Sequence, residues 1–492
     1  MLSLIEFGLQ PMPVQVLRCG RADKGARGEC ILRSTWFVGL LAALPALIVL
    51  AVFGPIDTPD SSGYVNFAKQ ILSGQLRSGT ELLTEATIPV SLYRTPGYPA
   101  LIAAFQYVLG NGWKVALVLL QISLSSLLAI AAYRTASLLG LPQALALPVA
   151  LVPSVSIGLV MQVSIMTDAI YSVLFGCAAL LLAQAVSHGS SRTPLYVGLL
   201  LAIAMSLREA TLFIAVAFVP AVWIAAGAGR RVRWLCLSFL PLLAMTAFLM
   251  TANYMRSGYA VVTTSPQIVM VQALLPLERE GLPLFPDDTL FDRMARETLR
   301  ADDYNSIFAL NDKLFHAGLS APQIAAEARH SYFRTWRRFP IAMLLASIGR
   351  YHERYLALPF HPLNAARLLM LYSGYPSPKI SSPGTLWQDG QRGSSSAVFE
   401  LLLYGVTRAI GTLIGLLAVA APFLLLRTGD YRARALLGLW IICAGFIAVY
   451  LPVHLNERYL VPLITLQCLL AGTICARLMG DRARIAFAPR ST

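Results

Sequence analysis

The chain has 492 residues, 57% hydrophobic and only 13% charged, with a mean hydropathy of +0.64. Lys and Arg outnumber Asp and Glu by 39 to 25, a formal net charge of +14. The apolar residues gather in runs of membrane-spanning length, which excludes an ordinary soluble domain. The basic residues fall between those runs, so the charge reports orientation and not nucleic-acid binding.

A basic tail with Arg18, Arg21, Lys24, Arg27 and Arg33 precedes the run 36–53. That run has no A-x-A cleavage site and reads as an uncleaved first helix with its N-terminus in the cytoplasm. Later basic segments should share that side: Arg134, His188 to Arg192, Gly229 to Trp234, Arg427 to Arg434, and the end of the chain from Arg477. One threading satisfies all of them with about ten spans: 36–53, 114–134, 142–162, 168–187, 194–207, 210–228, 234–254, 399–426, 434–452 and 459–476. The expectation is an all-α polytopic protein of the plasma (inner) membrane with both termini cytoplasmic. A cytoplasmic tail (1–35) leads into a transmembrane module (36–254) containing a first outer loop (54–113). An extracytoplasmic loop domain (255–398), C-terminal helices (399–476) and a basic tail (477–492) follow. The seven cysteines show no CxxC spacing and suggest no redox or metal role.

The first loop opens with "IDTPDSSGYVNFAKQIL". Tyr64, Phe67, Ala68 and Ile71 fall on one stripe at helical spacing, which predicts an amphipathic helix on the membrane with Asp60 and Ser61 at its N-cap. Asp57, before Thr-Pro, reads as a turn residue. The segment 255–398 has the composition of a small soluble domain and includes "APQIAAEARHSYFRTWRRFPIAMLLASIGRYHERY". Its uninterrupted apolar part, 340–348, is too short to cross a bilayer and reads as an interfacial helix. "YHERY" lacks the H-E-x-x-H spacing of a zinc site, and "PDDTLFDRMARETLRADDY" reads as a solvated helical face.

An acid four residues before a Tyr just after the first span, a short helix, and then "R-T-P-G-Y-P" opening another apolar helix resemble the C-type (GT-C) membrane glycosyltransferases. The similarity is to the polyprenyl-phosphate-sugar-dependent branch that includes protein mannosyltransferases and the lipid A aminoarabinose transferase. The matching positions are Asp60, Tyr64, Ala68, Gly74, Arg94, Pro96, Gly97, Tyr98 and Pro99, followed more weakly by Asp168 in "SIMTDAIYSVLF", Arg208 in "MSLREATLF" and "HLNERYLVPL". Ser61 stands where the commonest form of the first motif has Glu, so a second acid must be Asp57, Asp168 or neither.

The resemblance implies a sugar moved from a polyprenyl-phosphate donor to a lipid, glycan or protein acceptor on the outer face, by inversion, with no soluble cofactor beyond an optional divalent cation. Consistently, the chain lacks a G-x-G-x-x-G or Walker loop. Asp60 is the candidate general base, since the acceptor hydroxyl must lose a proton as the new bond forms. Asp168 is either an N-cap beside Thr167, a support for the base, or a ligand for that cation. Arg94, Arg208 and Arg458, with His454 beside the last, are candidates for the departing phosphate, because a guanidinium fork matches phosphate oxygens. Each also has a plain reading as a headgroup-pairing arginine; Arg208 has Glu209 as a neighbour, and Arg458 has His454 and Glu457. Membrane lipid is the other expected partner. The rival classes are a flippase or transporter of lipid-linked saccharides, which calls for repeat symmetry and mid-span charges, and an outer-face glycan polymerase or ligase.

Overall fold

The computed structural model describes residues 35–74, 90–188, 190–300, 303, 305–355, 362–374, 387–388, 390–391, 393–425, 431–453 and 457–486. In chain order the helices are α1 (Thr35–Phe53), α2 (Ser61–Leu72), α3 (Gly97–Leu109), α4 (Trp113–Leu138), α5 (Gln143–Val155), α6 (Ile157–Val163), α7 (Asp168–His188), α8 (Thr193–Leu207), α9 (Ala210–Ala225) and α10 (Arg231–Ser257). There follow α11 (Pro266–Arg279), α12 (Leu290–Thr298), α13 (Ser306–His316), α14 (Ala321–Arg338), α15 (Pro340–Tyr355), α16 (Pro362–Tyr372), α17 (Ser395–Leu425), α18 (Tyr431–Tyr450) and α19 (Val461–Ala486). Single helical turns at Val90–Tyr93 and Glu457–Leu460 precede Arg94 and carry Arg458, respectively. Among the described residues, β-structure is limited to two isolated bridges.

The protein is an all-α polytopic membrane protein. Seven helical segments among the described residues are long and apolar enough to cross a bilayer, and α5 with α6 forms an eighth candidate bent by 55°. Each of the ten expected spans falls on helix, but three differ from a single membrane-length rod. The stretch 142–162 breaks at Ser156, and 194–207 and 210–228 become the shorter apolar helices α8 and α9. The break has a local cause. Pro148 and Pro153 weaken α5 from within, and Ser156, in extended backbone, restarts the helix as the N-cap of α6 by accepting the Gly158 N–H at 3.2 Å.

Helices α7 and α19, each 78% buried along the span, form the centre of the bundle, whereas α10, 17% buried, lies at its rim. Helix α7 packs against α4, α8, α18 and α19, and α19 packs against α5 and α17. Phe175 on α7 meets Phe218 on α9 and Phe446 on α18 edge-on, at 5.7 and 5.1 Å between ring centroids, tying three helices at one layer.

A second, separate core lies in α11 to α15, built on Ile268, Leu274, Phe291, Leu310, Ile324 and Tyr332. Helix α16 does not join it; Ala365, Leu368 and Leu369 return to the main core. Toward one end of the bundle Arg134 donates to Thr35 Oγ1 at 3.3 Å, and the Arg432 guanidinium lies beside Gly140. The residues described next gather where α1 ends and α7 begins.

Candidate functional site

The site is built around the unwound segment between α6 and α7. Breaking a helix among apolar neighbours frees backbone groups that must find partners. They find them in a latch. Ile56, in the turn after α1, donates to Val163 O at 3.0 Å and accepts from Ile165 N at 2.9 Å, a parallel bridge. Gln121, fully buried on α4, donates through Nε2 to Gln162 O at 3.0 Å and Ser164 O at 2.9 Å, while its Oε1 accepts from Tyr98 OH at 2.9 Å. Ser61 Oγ donates to Ile165 O at 2.9 Å. The first loop, α3, α4 and the start of α7 are thereby fixed to one another.

Asp60 precedes α2 but its carboxylate caps nothing. Both oxygens are taken: Arg94 Nη2 donates to Oδ1 at 2.7 Å, and Arg458 Nη1 donates to Oδ2 at 2.6 Å. The Arg94 guanidinium also lies over the Tyr64 ring, 4.2 Å from its centroid. Gly63 permits this approach, because a Cβ there would meet Arg94 Nε at 3.1 Å. A second pair stands behind the first. Arg208 Nη2 donates to Asp168 Oδ1 at 2.7 Å, and its guanidinium rests over Tyr459, 4.8 Å from the ring centroid. Tyr64 OH and Thr167 Oγ1 share a hydrogen bond at 3.3 Å, and Arg208 Nε donates to the same Thr167 oxygen at 3.3 Å, so the two pairs form one network.

The pairs differ in depth. The Asp60, Arg94 and Arg458 side chains are 27%, 17% and 22% exposed, whereas Asp168 is 1% exposed. The outer trio is the more exposed, and of the inner pair Asp168 is buried while Arg208 keeps 12% of its side chain exposed. Burial by itself raises the Asp60 carboxyl, but the charges of Arg458 and Arg94 and both hydrogen bonds override it and hold the group well below the usual carboxylate range. Tyr64 is pushed up by burial and keeps its proton. These five charged groups leave one positive charge in excess. Arg208 Nη1 and Asp168 Oδ2 are buried with no protein hydrogen-bond partner.

The charged side chains described at the site are paired with one another. Each carboxylate is already neutralised by arginine, and no group of three His, Cys, Asp or Glu side chains suited to a metal occurs among the described residues.

Of the residues singled out in the sequence, Asp60, Tyr64, Arg94, Tyr98, Asp168, Arg208 and Arg458 come together. Arg208 pairs with Asp168 and not with Glu209, because it extends from the end of α8 toward α7. Pro96 and Gly97 open α3. A Cβ at Gly97 would strike Ser206 O at 2.5 Å, so Gly is what lets α3 seat on the end of α8. Asp57 stands apart as the partner of Lys114, the second residue of α4. His454 lies outside the described residues, as do the side chains of "YHERY". Sequence reasoning missed Gln121, Thr167 as a bridge, and Tyr459. Of these, only Gln121, a carboxamide alone in a long apolar run, carried a visible signal.

No protein-family model and no curated protein matches the chain. Among solved structures it is similar to the archaeal oligosaccharyltransferase AglB from Archaeoglobus fulgidus in complex with an inhibitory peptide and a dolichol-phosphate. That match has a TM-score of 0.45 and 10% identity and covers 94% of this chain and 52% of that one. The chain is also similar to ArnT from Cupriavidus metallidurans, in the apo state and bound to undecaprenyl phosphate. Both forms give a TM-score of 0.35 and 14% identity, covering 94% and 92% of this chain and 80% of that one. This chain thus spans about half the length of the oligosaccharyltransferase.

Proposed function

We propose that the protein is a C-type glycosyltransferase that moves a sugar from a polyprenyl phosphate to an acceptor at the outer face of the plasma membrane, with Asp60 as general base. The observation that carries this reading is the convergence of Asp60 with Arg94 and Arg458, drawn from opposite ends of the chain, beside the Asp168–Arg208 pair. A sugar-linked polyprenyl phosphate bears one negative charge, which matches the one positive charge in excess. Arg208 Nη1 offers it a donor not taken by protein.

With both oxygens held by arginine, Asp60 is a weak base. The donor phosphate competes for the same guanidinium groups. As it draws them, Asp60 loses the charges that depress its pKa and becomes a competent proton acceptor only when a donor is in place. The acceptor hydroxyl then attacks the anomeric carbon on the face opposite the phosphate, and its proton passes to Asp60. The bond from the anomeric carbon to the phosphate oxygen breaks with its electron pair on that oxygen. Arg94, Arg208 and Arg458 stabilise the second charge that the polyprenyl phosphate gains. A single displacement of this kind inverts the anomeric centre.

The test is release of free polyprenyl phosphate by the purified protein from a panel of polyprenyl-phosphate sugars. Asp60→Asn is expected to slow release by roughly 10²- to 10⁴-fold, as loss of a general base predicts, with a thermal melt showing that it folds. Equal rates in the two proteins remove Asp60 from the chemistry and direct attention to Asp168.

A further inference from the structure

Arg94 and Arg458 reach Asp60 from loops near opposite ends of the chain, and both of those loops are gripped by the outer unit α11 to α15. On one side, Thr264, just before α11, donates its N–H to Leu92 O at 2.8 Å, and Tyr93 packs against the outer core. Leu92 and Tyr93 directly precede Arg94. On the other side, Tyr332 of α14, 3% exposed, donates its hydroxyl to Pro452 O at 3.0 Å, and Val453 packs against the same core. Helix α15 also touches the turn Glu457–Leu460 that carries Arg458.

The grip is rigid where it matters. Asp292, 1% exposed, accepts from Arg334 Nη2 with both oxygens, at 2.9 and 2.7 Å. It also accepts from Ser331 Oγ at 3.3 Å and from Asp287 N at 2.9 Å. Ser331 and Arg334 flank Tyr332, so this buried carboxylate locks the backbone from which Tyr332 reaches Pro452. Asp60 itself lies outside the unit, on the first loop.

We propose that the outer helical unit sets the spacing of the Arg94 and Arg458 guanidinium groups, with Tyr332 as the positioning residue through which it holds the Arg458 loop. Long arginine side chains give up considerable rotamer freedom when they bind phosphate. Two of them present a preformed anion site only if their backbones are held at a fixed separation, and the unit supplies that hold through a hydrogen bond and apolar packing to each loop. The functional consequence rests on the transferase reading; the structural coupling does not.

Tyr332→Phe keeps the buried ring and removes only the hydroxyl that reaches Pro452. With a polyprenyl-phosphate sugar as the varied substrate, KM for the donor is expected to rise about fivefold, the worth of one ordinary hydrogen bond. In an Arg458→Lys background the same change is expected to add little, because both act through one guanidinium. A fall in turnover at unchanged KM, the signature of a smaller active fraction, overturns the proposal. Thermal melts of Tyr332→Phe, Asp60→Asn and the double variant give a readout that needs no turnover. Loss of the Tyr332 hydroxyl is expected to lower the melting temperature less when Asp60 is already Asn, and strict additivity overturns the proposal even if no sugar donor is ever turned over. If no donor is turned over while the melts are non-additive, the transferase reading fails and the positioning role stands.

Discussion

Asp60 and Asp168 are both carboxylates paired with arginine, yet their surroundings give them different work. Asp60 sits partly exposed between two guanidinium groups, where a phosphate can compete for its partners. Asp168 is buried against Arg208, which keeps 12% of its side chain exposed. Asp168→Asn should therefore act first on the fold: it takes the carboxylate charge away from a largely buried guanidinium, a loss of about 3–5 kcal/mol for breaking a buried pair. The measurement is the melting temperature in detergent, where Asp168→Asn should fall well below Asp60→Asn; the opposite order would place the structural pair at the outer position. For pH the sign is set by the depressed Asp60 group. Its contribution to stability is complete above the ordinary carboxylate pKa of about 4 and is lost as pH falls from there through the lower folded value. The residue types at the site were legible in the sequence, because acids and arginines beside apolar runs are conspicuous. Thr167 was not, since a lone threonine looks the same whether it caps a helix or bridges two ion pairs.

At the scale of elements, the decisive feature is a span that does not run straight. The run 142–162 has the composition of one helix; it breaks at Ser156, and the chain unwinds again after Val163, where the carbonyls of Gln162 and Ser164 take their donor from a side chain on another helix. Gln121 is that side chain. Gln121→Leu would strip partners from Gln162 O, Ser164 O and Tyr98 OH at once, each unsatisfied group costing about 1–3 kcal/mol. It should therefore lower the melting temperature strongly and slow donor release, because the segment leading into Thr167 and Asp168 loses its latch. Ser123→Ala, two residues along the same helix on an exposed hydroxyl, is the control and should change neither. If the two variants melt alike, the latch contributes nothing. The sequence placed α4 and α7 correctly as helices. It did not reveal that Gln121 faces the break, because the residues opposite a helix face are chosen by packing between helices.

For the molecule as a whole, the distribution of charge makes a claim about sidedness. Arg134 lies beside Thr35 at the start of α1, while Asp60, Arg94, Arg208 and Arg458 gather beyond the end of α1. With its native cysteines replaced, the protein carrying Ser62→Cys should react with a membrane-impermeant maleimide in intact cells, and Gly229→Cys should react only after the cells are opened. The reverse pattern would move the site to the cytoplasmic side and end the outer-face reading. The sequence by itself determined the all-α membrane class, the stretches that form apolar helices, the expected orientation and the chemical types at the site. Apolar run length and basic flanks act locally along the chain, against a solvent that is the same for every segment. Only the tertiary structure decided that Arg458 and Arg94 share Asp60, that Arg208 belongs to Asp168, that Asp57 is held off by Lys114, and that a separate outer core grips both arginine-bearing loops. Those pairings join residues from 34 to 398 positions apart, and they are set by how the helices pack, which no local pattern in the chain encodes.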